Sequence, residues 1–183
     1  MRSRDASILM VPGLGNSGPD HWQTRWQTKL PTARRVDQAS WDAPERFLWA
    51  EAVHAAIVAS DRPVIIIAHS LGVIATVDAL TSRDVQNVAG AFLVAPPEEE
   101  RLLALPQVDP AFALFPSAPL PCPSVLVASR NDPYASLASS ENLALDWGSK
   151  MIDAGEAGHI NSESGHGPWP EGLMAFAGFL NKL

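Results

Sequence analysis

The chain contains four apolar runs in which polar residues do not alternate with apolar ones. They are SILMV at 7–11, PVIIIA at 63–68, VAGAFLVAP at 88–96 and PSVLVAS at 123–129. Runs of this kind, rich in β-branched residues, predict strands covered on both faces, as in the middle of a parallel sheet. The weaker patterns ARRVDQAS at 33–40 and KMIDAG at 150–155 predict two further strands.

The segments between these predicted strands show the spacing of apolar residues that is typical of helices. Trp22, Trp26 and Leu30 recur every four residues, which predicts one face of a helix. Pro19 suits the first turn of that helix. A second helix is predicted to open at Pro44, with an apolar stripe made of Phe47, Leu48, Val53 and Ile57. The segments LGVIATVDAL, LALDW and GLMAFAGFLNKL predict three later helices.

This alternation of strands and helices predicts α/β architecture, with a mostly parallel central sheet and helices on both faces. A chain of 183 residues can bury a sizeable core, so we expect a single domain over residues 1–183. Residues 96–123 hold eight of the 16 prolines together with several large apolar side chains. That composition excludes a long helix and is too apolar for a linker, which predicts a short cap-like segment draped over the edge of the sheet.

Composition and charge narrow the classes of function. A formal net charge of -7 without a basic cluster argues against nucleic acid as a partner. The single cysteine, Cys122, excludes an internal disulfide and a cysteine-based zinc site, and we interpret it as a packed apolar side chain. The N-terminal apolar run is too short for a signal peptide or a membrane span. The expected location is therefore the cytoplasm, with no membrane contact.

The pentapeptide AHSLG at 68–72 joins the most apolar strand to the helix that follows it. A strand that reverses sharply into a helix needs small residues two before and two after the turning residue. Ala68 and Gly72 occupy those places, as in the G-x-S-x-G nucleophile elbow, whose serine projects from the carboxyl edge of the sheet. Ser70 is therefore the candidate nucleophile. The alternative is that Ser70 serves only as the N-cap of the helix, a common role of serine.

A nucleophilic serine requires a histidine base that is oriented by a carboxylate at the same edge of the sheet. In α/β hydrolases the order along the chain is serine, acid, histidine. Asp132 and His159 fall in this order, in loops that follow predicted strands. His166 is the rival base, and Asp146 and Asp153 are less well placed as the acid. The other histidines are interpreted as packed or scaffold-bonded side chains: His21, His54 and His69.

Attack on a carbonyl also needs N–H donors for the oxyanion that forms. The candidates are the backbone N–H of Leu71, at the start of a helix, and that of Leu14, in the glycine-rich turn after the first strand. The alternative is that the glycines there merely form a tight turn. An apolar acyl pocket is predicted from three aromatic side chains, for each of which plain core packing is the alternative: Trp22, Phe112 and Phe115.

The segments VPGLGNSGPDHWQTRW, AHSLG, SRNDPY and AGHIN together resemble those of one family of very small α/β hydrolases. This is the serine hydrolase family that includes retinoblastoma-binding protein nine and the YdeN-type bacterial proteins. The resemblance covers nearly the whole chain and implies a compact α/β hydrolase fold with no large cap domain. It also implies Ser70 as nucleophile, Asp132 as acid and His159 as base. The sequence departs from the usual elbow at Ala68, where other hydrolases often have glycine.

These features predict a serine hydrolase that cleaves ester, thioester or amide bonds of a small acyl substrate through an acyl-enzyme intermediate. No metal cluster, P-loop lysine or complete dinucleotide fingerprint is visible, so no metal or cofactor is expected. Two alternatives remain open. One is a protein-binding module on a hydrolase scaffold, and the other is an enzyme that transfers the acyl group to an alcohol or amine instead of water. The sequence identifies no protein partner.

Overall fold

A six-stranded sheet forms the centre of the protein, whose computed structural model describes residues 1–183. The strands are β1 (Ser7–Val11), β2 (Ala33–Arg35), β3 (Val64–His69), β4 (Val88–Val94), β5 (Ser124–Ala128) and β6 (Lys150–Asp153). They lie in the order β2-β1-β3-β4-β5-β6, and every pairing is parallel. The predicted parallel α/β architecture is confirmed, with a strand at each of the six predicted positions.

Helices cover both faces of this sheet. They are α1 (Trp22–Gln27), α2 (Arg46–Val58), α3 (Leu71–Thr81), α4 (Glu99–Leu103), α5 (Leu137–Asp146) and α6 (Pro170–Leu180), with 3₁₀ turns at Ser3–Asp5 and Pro110–Ala113. On one face, α2, α3 and α5 share a core of 29 buried residues. On the other face, α1 and α6 share a core of 18. Strands β1, β3, β4 and β5 contribute to both cores, which explains why their sequences are apolar at nearly every position.

The first helix is shorter than its sequence pattern predicts. It begins at Trp22 and not near Pro19, because His21 acts as its N-cap: the Nδ1 atom accepts the Gln23 N–H at 3.2 Å. The helix also ends before Leu30, which follows the turn at residues 28–29. Leu30 still packs against the core that α1 and α6 share, so the predicted face is right although the predicted length is wrong.

The apolar stripe predicted for α2 is wrong at its N-terminal end. Phe47 and Leu48 are 68% and 42% exposed. The α2 side chains that enter the core are Trp49, Ala50, Val53 and Ile57. This set repeats every four residues from Trp49, so the true helical face starts after the two exposed residues. Phe47 instead packs near Arg83, whose guanidinium carbon lies 5.3 Å from the centre of the ring.

Residues 96–123 form a cap-like segment whose only regular structure is α4 and one 3₁₀ turn. Its side chains Leu102, Val108 and Phe112 are buried in the core that α2, α3 and α5 share. Phe112 packs edge-to-face on Trp49 of α2, with ring centroids 5.8 Å apart. The segment thus packs on α2 through Phe112, and its residues Leu102 and Val108 line the same pocket as Ser70, directly after β3.

The structure also bears on thiol chemistry, membrane crossing and metal binding. Cys122 is half-buried just before β5, and burial raises the pKa of its thiol to about 11. The thiol is therefore protonated at neutral pH and packs as a small apolar group. No helix combines the length and the hydropathy that a membrane crossing requires. No three histidine, cysteine, aspartate or glutamate side chains are grouped so as to hold a metal ion.

The turn from β3 into α3 depends on a residue without a side chain. Gly72, in the first turn of α3, lies against the end of β1. A Cβ at this position would be 2.5 Å from the Val11 carbonyl oxygen and would also collide with the carbonyl of Pro12. These are backbone atoms of the sheet, so they cannot rotate away as a flexible side chain can. This explains the small residue that the sequence pattern requires two positions after Ser70.

Replacing Gly72 with alanine should lower the free energy of unfolding by about 3 kcal/mol, at the upper end of the usual range for overpacking. The matched control is Gly178→Ala in α6, where an added Cβ meets no atom within 4 Å. That control should raise the free energy of unfolding by up to about 1 kcal/mol, because alanine favours the helix. Urea denaturation measures both, and a Gly72→Ala protein as stable as wild type would contradict the steric argument.

Candidate active site

Ser70 occupies the turn between β3 and α3. Its backbone has φ 55° and ψ -127°, a conformation that costs of order 1–3 kcal/mol in a residue with a side chain. The Ser70 N–H donates to the Val94 carbonyl oxygen at 2.9 Å, which anchors the turn to β4. Ser70 occupies the N-cap position of α3, but its side chain makes no capping hydrogen bond. The hydroxyl instead lines a pocket at the carboxyl edge of the sheet.

The Ser70 hydroxyl is one end of a hydrogen-bonded chain of three side chains. Its Oγ lies 2.9 Å from His159 Nε2. On the other side of the ring, Nδ1 lies 3.0 and 2.9 Å from the two carboxylate oxygens of Asp132. The side chains of His159 and Asp132 are only 9% and 3% exposed. Because the carboxylate accepts at Nδ1, that nitrogen carries the ring proton, and Nε2 is left to accept the hydroxyl proton.

The competing residues lie elsewhere. His166 lines a separate pocket between β6 and α6. Asp153, the last residue of β6, forms a salt bridge with Arg130 at 2.6 Å. Asp146 is an exposed residue at the end of α5. None of the three contacts the Ser70 hydroxyl.

Asn131 links the loop that carries the acid to the loop that carries the histidine. Its Oδ1 accepts the Gly158 N–H at 2.7 Å and the Ser129 hydroxyl at 2.9 Å. Asp132 is held in turn by the Tyr134 N–H, which donates to Oδ1 at 2.9 Å. The sequence patterns did not mark Asn131 as a functional residue. The available signal is an asparagine directly before the acid, in a loop at the end of a strand.

The glycine-rich turn after β1 lies directly against Ser70. A Cβ at Gly13 would be 2.7 Å from the Ser70 Cβ and 3.2 Å from its Oγ. The next residue, Leu14, and the first residue of α3, Leu71, both line the pocket. The Leu14 N–H makes no hydrogen bond within the protein. The Leu71 N–H belongs to the first turn of a helix, where N–H groups have no intrahelical acceptor. The absence of a Cβ at Gly13 therefore lets this turn approach Ser70 closely.

A buried polar network ties this turn to the sheet. The side chain of Gln23 is fully buried, and its Nε2 donates to carbonyl oxygens at the ends of β1 and β3. Its Oε1 accepts the Ser17 hydroxyl at 2.7 Å. Arg35 donates to Asn16 Oδ1 at 2.6 Å and to the Ser17 carbonyl oxygen at 2.8 Å. The sequence patterns did not mark Gln23 or Arg35, because a polar side chain that is enclosed by tertiary contacts has no periodic signature.

Three imidazole rings cluster next to the hydroxyl. The centroid of the His69 ring lies 4.8 Å from that of His21 and 4.9 Å from that of His159. Burial first and the His159 imidazole second hold the pKa of His69 well below 6.5. Burial first and the Arg35 guanidinium second lower the pKa of His21 to about 4. Both rings are therefore neutral at pH 7, and His69 is bonded into the scaffold through Nε2, 2.9 Å from the His159 carbonyl oxygen.

The pocket in front of Ser70 has a volume of about 340 Å³. One wall is mainly apolar and comes from the cap-like segment 96–123. It includes Pro97, Leu102, Leu105 and Val108. The opposite wall is polar and comes from the turn after β1, from His21 before α1, and from the loop after His159. It includes Asn16, His21, Asn161 and Ser162.

The three aromatic side chains predicted to line an acyl pocket are not part of these walls. Trp22 is fully buried on the α1 side of the sheet, where its Nε1–H donates to the Ile160 carbonyl oxygen at 2.8 Å. Phe112 is fully buried against Trp49. Phe115 packs against the core that α2, α3 and α5 share. All three pack in or against the apolar cores.

The comparison with known families agrees with this arrangement. Residues 8–178 match the model of the family described as serine hydrolase. The chain belongs to the serine hydrolase family. The resemblance carried by the sequence motifs is thereby confirmed, and the protein is a hydrolase. This serine hydrolase is 34% identical to a YdeN-like hydrolase from Pectobacterium atrosepticum, over 97% of this chain and 91% of that one, with a TM-score of 0.84.

More distant solved structures share the fold of this serine hydrolase. The ydeN gene product from B. subtilis is 16% identical over 96% of this chain and 99% of its own, with a TM-score of 0.80. Esterase 2 from Thermogutta terrifontis is 15% identical over 100% of this chain and 85% of its own, with a TM-score of 0.70. These two similarities show the compact α/β hydrolase fold. No curated protein matches the sequence of this serine hydrolase at a significant level.

The lowered pKa of His21 makes stability depend on pH. In the unfolded chain the imidazole binds a proton near pH 6.5, whereas folded His21 does so only near pH 4. The stabilisation is complete above pH 6.5 and is lost as the pH falls from 6.5 to about 4, a change of about 3 kcal/mol. His21→Asn keeps a capping side chain and removes this titration, so its free energy of unfolding should fall less steeply in that window.

Urea denaturation at several pH values between 7 and 4 compares the two proteins. The imidazole C–H resonance of His21 gives an independent readout, since it should shift only toward the acid end of this range. Parallel stability curves for wild type and His21→Asn would contradict the prediction.

Proposed function

We propose that this serine hydrolase cleaves ester, thioester or amide bonds of small acyl substrates through a covalent acyl-enzyme. The observation that supports this most directly is the continuous hydrogen-bonded chain from Asp132 through His159 to Ser70, with 2.9 Å between Nε2 and Oγ. His159 Nε2 removes the hydroxyl proton while Ser70 Oγ attacks the carbonyl carbon. The same nitrogen returns that proton to the leaving group as its bond to the carbonyl carbon breaks. Water, deprotonated by Nε2, then attacks the acyl carbon, and Nε2 returns that proton to Ser70 Oγ as the bond between Oγ and the acyl group breaks.

The charges that develop in these steps have counterparts in the site. The Asp132 carboxylate keeps the imidazole proton on Nδ1 and stabilises the imidazolium that forms during attack. Its side chain is only 3% exposed, so water screens this interaction little. The N–H groups of Leu14 and Leu71 are assigned to the oxyanion, where one donor contributes about 3 kcal/mol in comparable enzymes. Gly13 allows the loop that carries Leu14 to approach Ser70 closely.

The pocket favours small substrates. Its volume of about 340 Å³ lies at the lower end of the range for small-molecule sites. Each step moves only a proton or an acyl group, and the residues named above supply both functions. An alcohol or amine that enters the pocket in place of water would accept the acyl group by the same route. Product analysis in the presence of a primary alcohol distinguishes this transfer from hydrolysis.

A fluorophosphonate probe tests the proposed nucleophile. The Ser70 oxygen should form a bond to phosphorus with loss of fluoride, so the intact mass of the wild-type protein should increase by one adduct. Ser70→Ala should gain none, although it unfolds at nearly the same temperature as wild type. His159→Ala should react far more slowly, because no base removes the hydroxyl proton.

The same experiment separates the enzyme from the alternative of a binding module. A folded wild-type protein that gains no adduct, and that hydrolyses none of a panel of short-chain esters and thioesters, would refute the proposed activity. Equal ester hydrolysis by Ser70→Ala would refute the assignment of the nucleophile alone.

Two aspartate variants test the proposed acid. Asp132→Asn should lower kcat for ester hydrolysis roughly 10⁴-fold, as when the acid of a serine triad loses its charge and the histidine its correct tautomer. Asp153→Asn is the matched control, since Asp153 pairs with Arg130 at the surface and surface pairs contribute little. Its kcat should stay close to that of wild type. A comparable loss in both variants, or none in Asp132→Asn, would contradict the assignment.

A further inference from the structure

The two walls of the pocket stand on opposite faces of the sheet, with Ser70 between them. Leu102 and Val108, in the apolar wall, belong to the core on the side of α2 and α3. His21, in the polar wall, directly precedes α1, which packs on the opposite face. A substrate whose carbonyl reaches Ser70 therefore meets apolar side chains on one side and polar side chains on the other. The chemistry of the polar wall then decides what the substrate must carry there.

His21 presents a hydrogen-bond donor to the pocket. Its Nδ1 accepts the Gln23 N–H at 3.2 Å, so the proton of the neutral ring is on Nε2. Nε2 has no hydrogen-bond partner within the protein, and this atom is not fully buried. The residue is only 5% exposed, and it lines the pocket. The Nε2–H is therefore reached from the pocket and is held in place by the cap that Nδ1 forms.

The two asparagines of the polar wall are oriented in the same way. Asn16 Oδ1 accepts the Ser17 N–H at 2.7 Å and the Arg35 guanidinium at 2.6 Å. Asn161 Oδ1 accepts the Ser164 N–H at 3.0 Å. In both residues the oxygen is used within the protein, and the Nδ2 amide group has no partner there. Three side chains of this wall thus have their acceptors satisfied by the protein and their donors unused.

We propose that the polar wall binds an oxygen acceptor of the substrate, such as an ether or carbonyl oxygen, through His21 Nε2–H with the Asn16 and Asn161 amides beside it. His21 is then a specificity-determining residue, in addition to its role as the N-cap of α1. The substrate class that fits is an ester or amide with an apolar portion on one side of the reacting carbonyl and an oxygen-bearing portion on the other. This inference rests on the proposed function of Ser70.

A series of hexyl hexanoates tests the proposal, with an ether oxygen replacing one chain methylene at a time along either the acyl or the alcohol portion. For each ester, kcat/KM is divided by its rate of hydroxide-catalysed hydrolysis. Wild type should prefer at least one oxygen position over the parent ester by about fivefold, which corresponds to one neutral hydrogen bond. The absence of a preferred position would overturn the proposal.

Two substitutions of His21 separate substrate binding from helix capping. His21→Asn retains a capping oxygen near the position of Nδ1 and removes the Nε2–H, so the preference should be lost. His21→Gln places an amide N–H near the position of Nε2 and weakens the cap, so it should retain part of the preference. Leu105→Ala, on the apolar wall, should lower kcat/KM for all the esters without changing the preferred position. If His21→Asn slows all esters equally, His21 has only a structural role and the proposal fails.

Fluorophosphonate labelling of each variant distinguishes the two possible failures. A wild-type protein that is labelled at Ser70 but shows no oxygen preference would overturn the inference on the polar wall and leave the proposed function intact. A wild-type protein that is neither labelled nor active would overturn the proposed function and, with it, this inference.

Discussion

The strained turn at Ser70 is the constraint on which the rest of the site depends. A residue with φ 55° and ψ -127° is stable only where its surroundings hold it, and here β3 lies between β1 and β4 in the middle of the sheet. The Ser70 N–H is bonded to β4, and Gly72 lets α3 lie against the end of β1. The parallel sheet thereby directs one hydroxyl out of its carboxyl edge. Every other functional group is positioned relative to that oxygen.

Loops from three other strands meet at this point, and polar contacts fix their relative positions. Asn131 joins the loop after β5 to the loop after β6, so Asp132 and His159 are held as a pair. Gln23 and Arg35 hold the turn after β1, which carries Leu14. The bonds of Gln23 are strengthened because this side chain is fully buried from solvent. The site is therefore organised before any substrate arrives, as stabilisation of a developing charge requires.

The pocket takes its character from the two faces of the sheet. On one face, the cap-like segment 96–123 follows the apolar surface of α2 and α3, and its leucines continue that surface to the edge of the pocket. On the other face, the short α1 starts from a capping histidine and leaves polar groups at the same edge. Ser70, which directly follows β3, lies between these two parts of the pocket. An asymmetric pocket thus arises from the layered architecture without a separate cap domain.

Much of this could be read from the sequence because its causes are local. Strands buried on both faces must be apolar throughout, so the inner strands of the sheet are visible as unbroken runs. A sharp strand-to-helix turn needs small residues at fixed positions, which marks Ser70. Parallel strands bring the loops after them to one edge, which makes Asp132 and His159 candidates from their order alone. The resemblance of the motifs to the serine hydrolase family depends on these same positions.

Tertiary structure decided which side chains are buried and which lie at the site. Side chains with equivalent sequence patterns differ in burial only because of how the elements pack. Phe47 and Trp49 are both apolar residues near the start of α2, and only the rotation of that helix against the sheet buries one and exposes the other. Trp22, Phe112 and Phe115 pack in or against the cores and do not line the pocket. The polar partners Asn131, Gln23 and Arg35, and the free donor of His21, lie next to the site through contacts between residues distant in sequence. No local pattern records such contacts, so the candidate nucleophile follows from the chain alone, whereas the shape and polarity of the pocket beside it follow only from the fold.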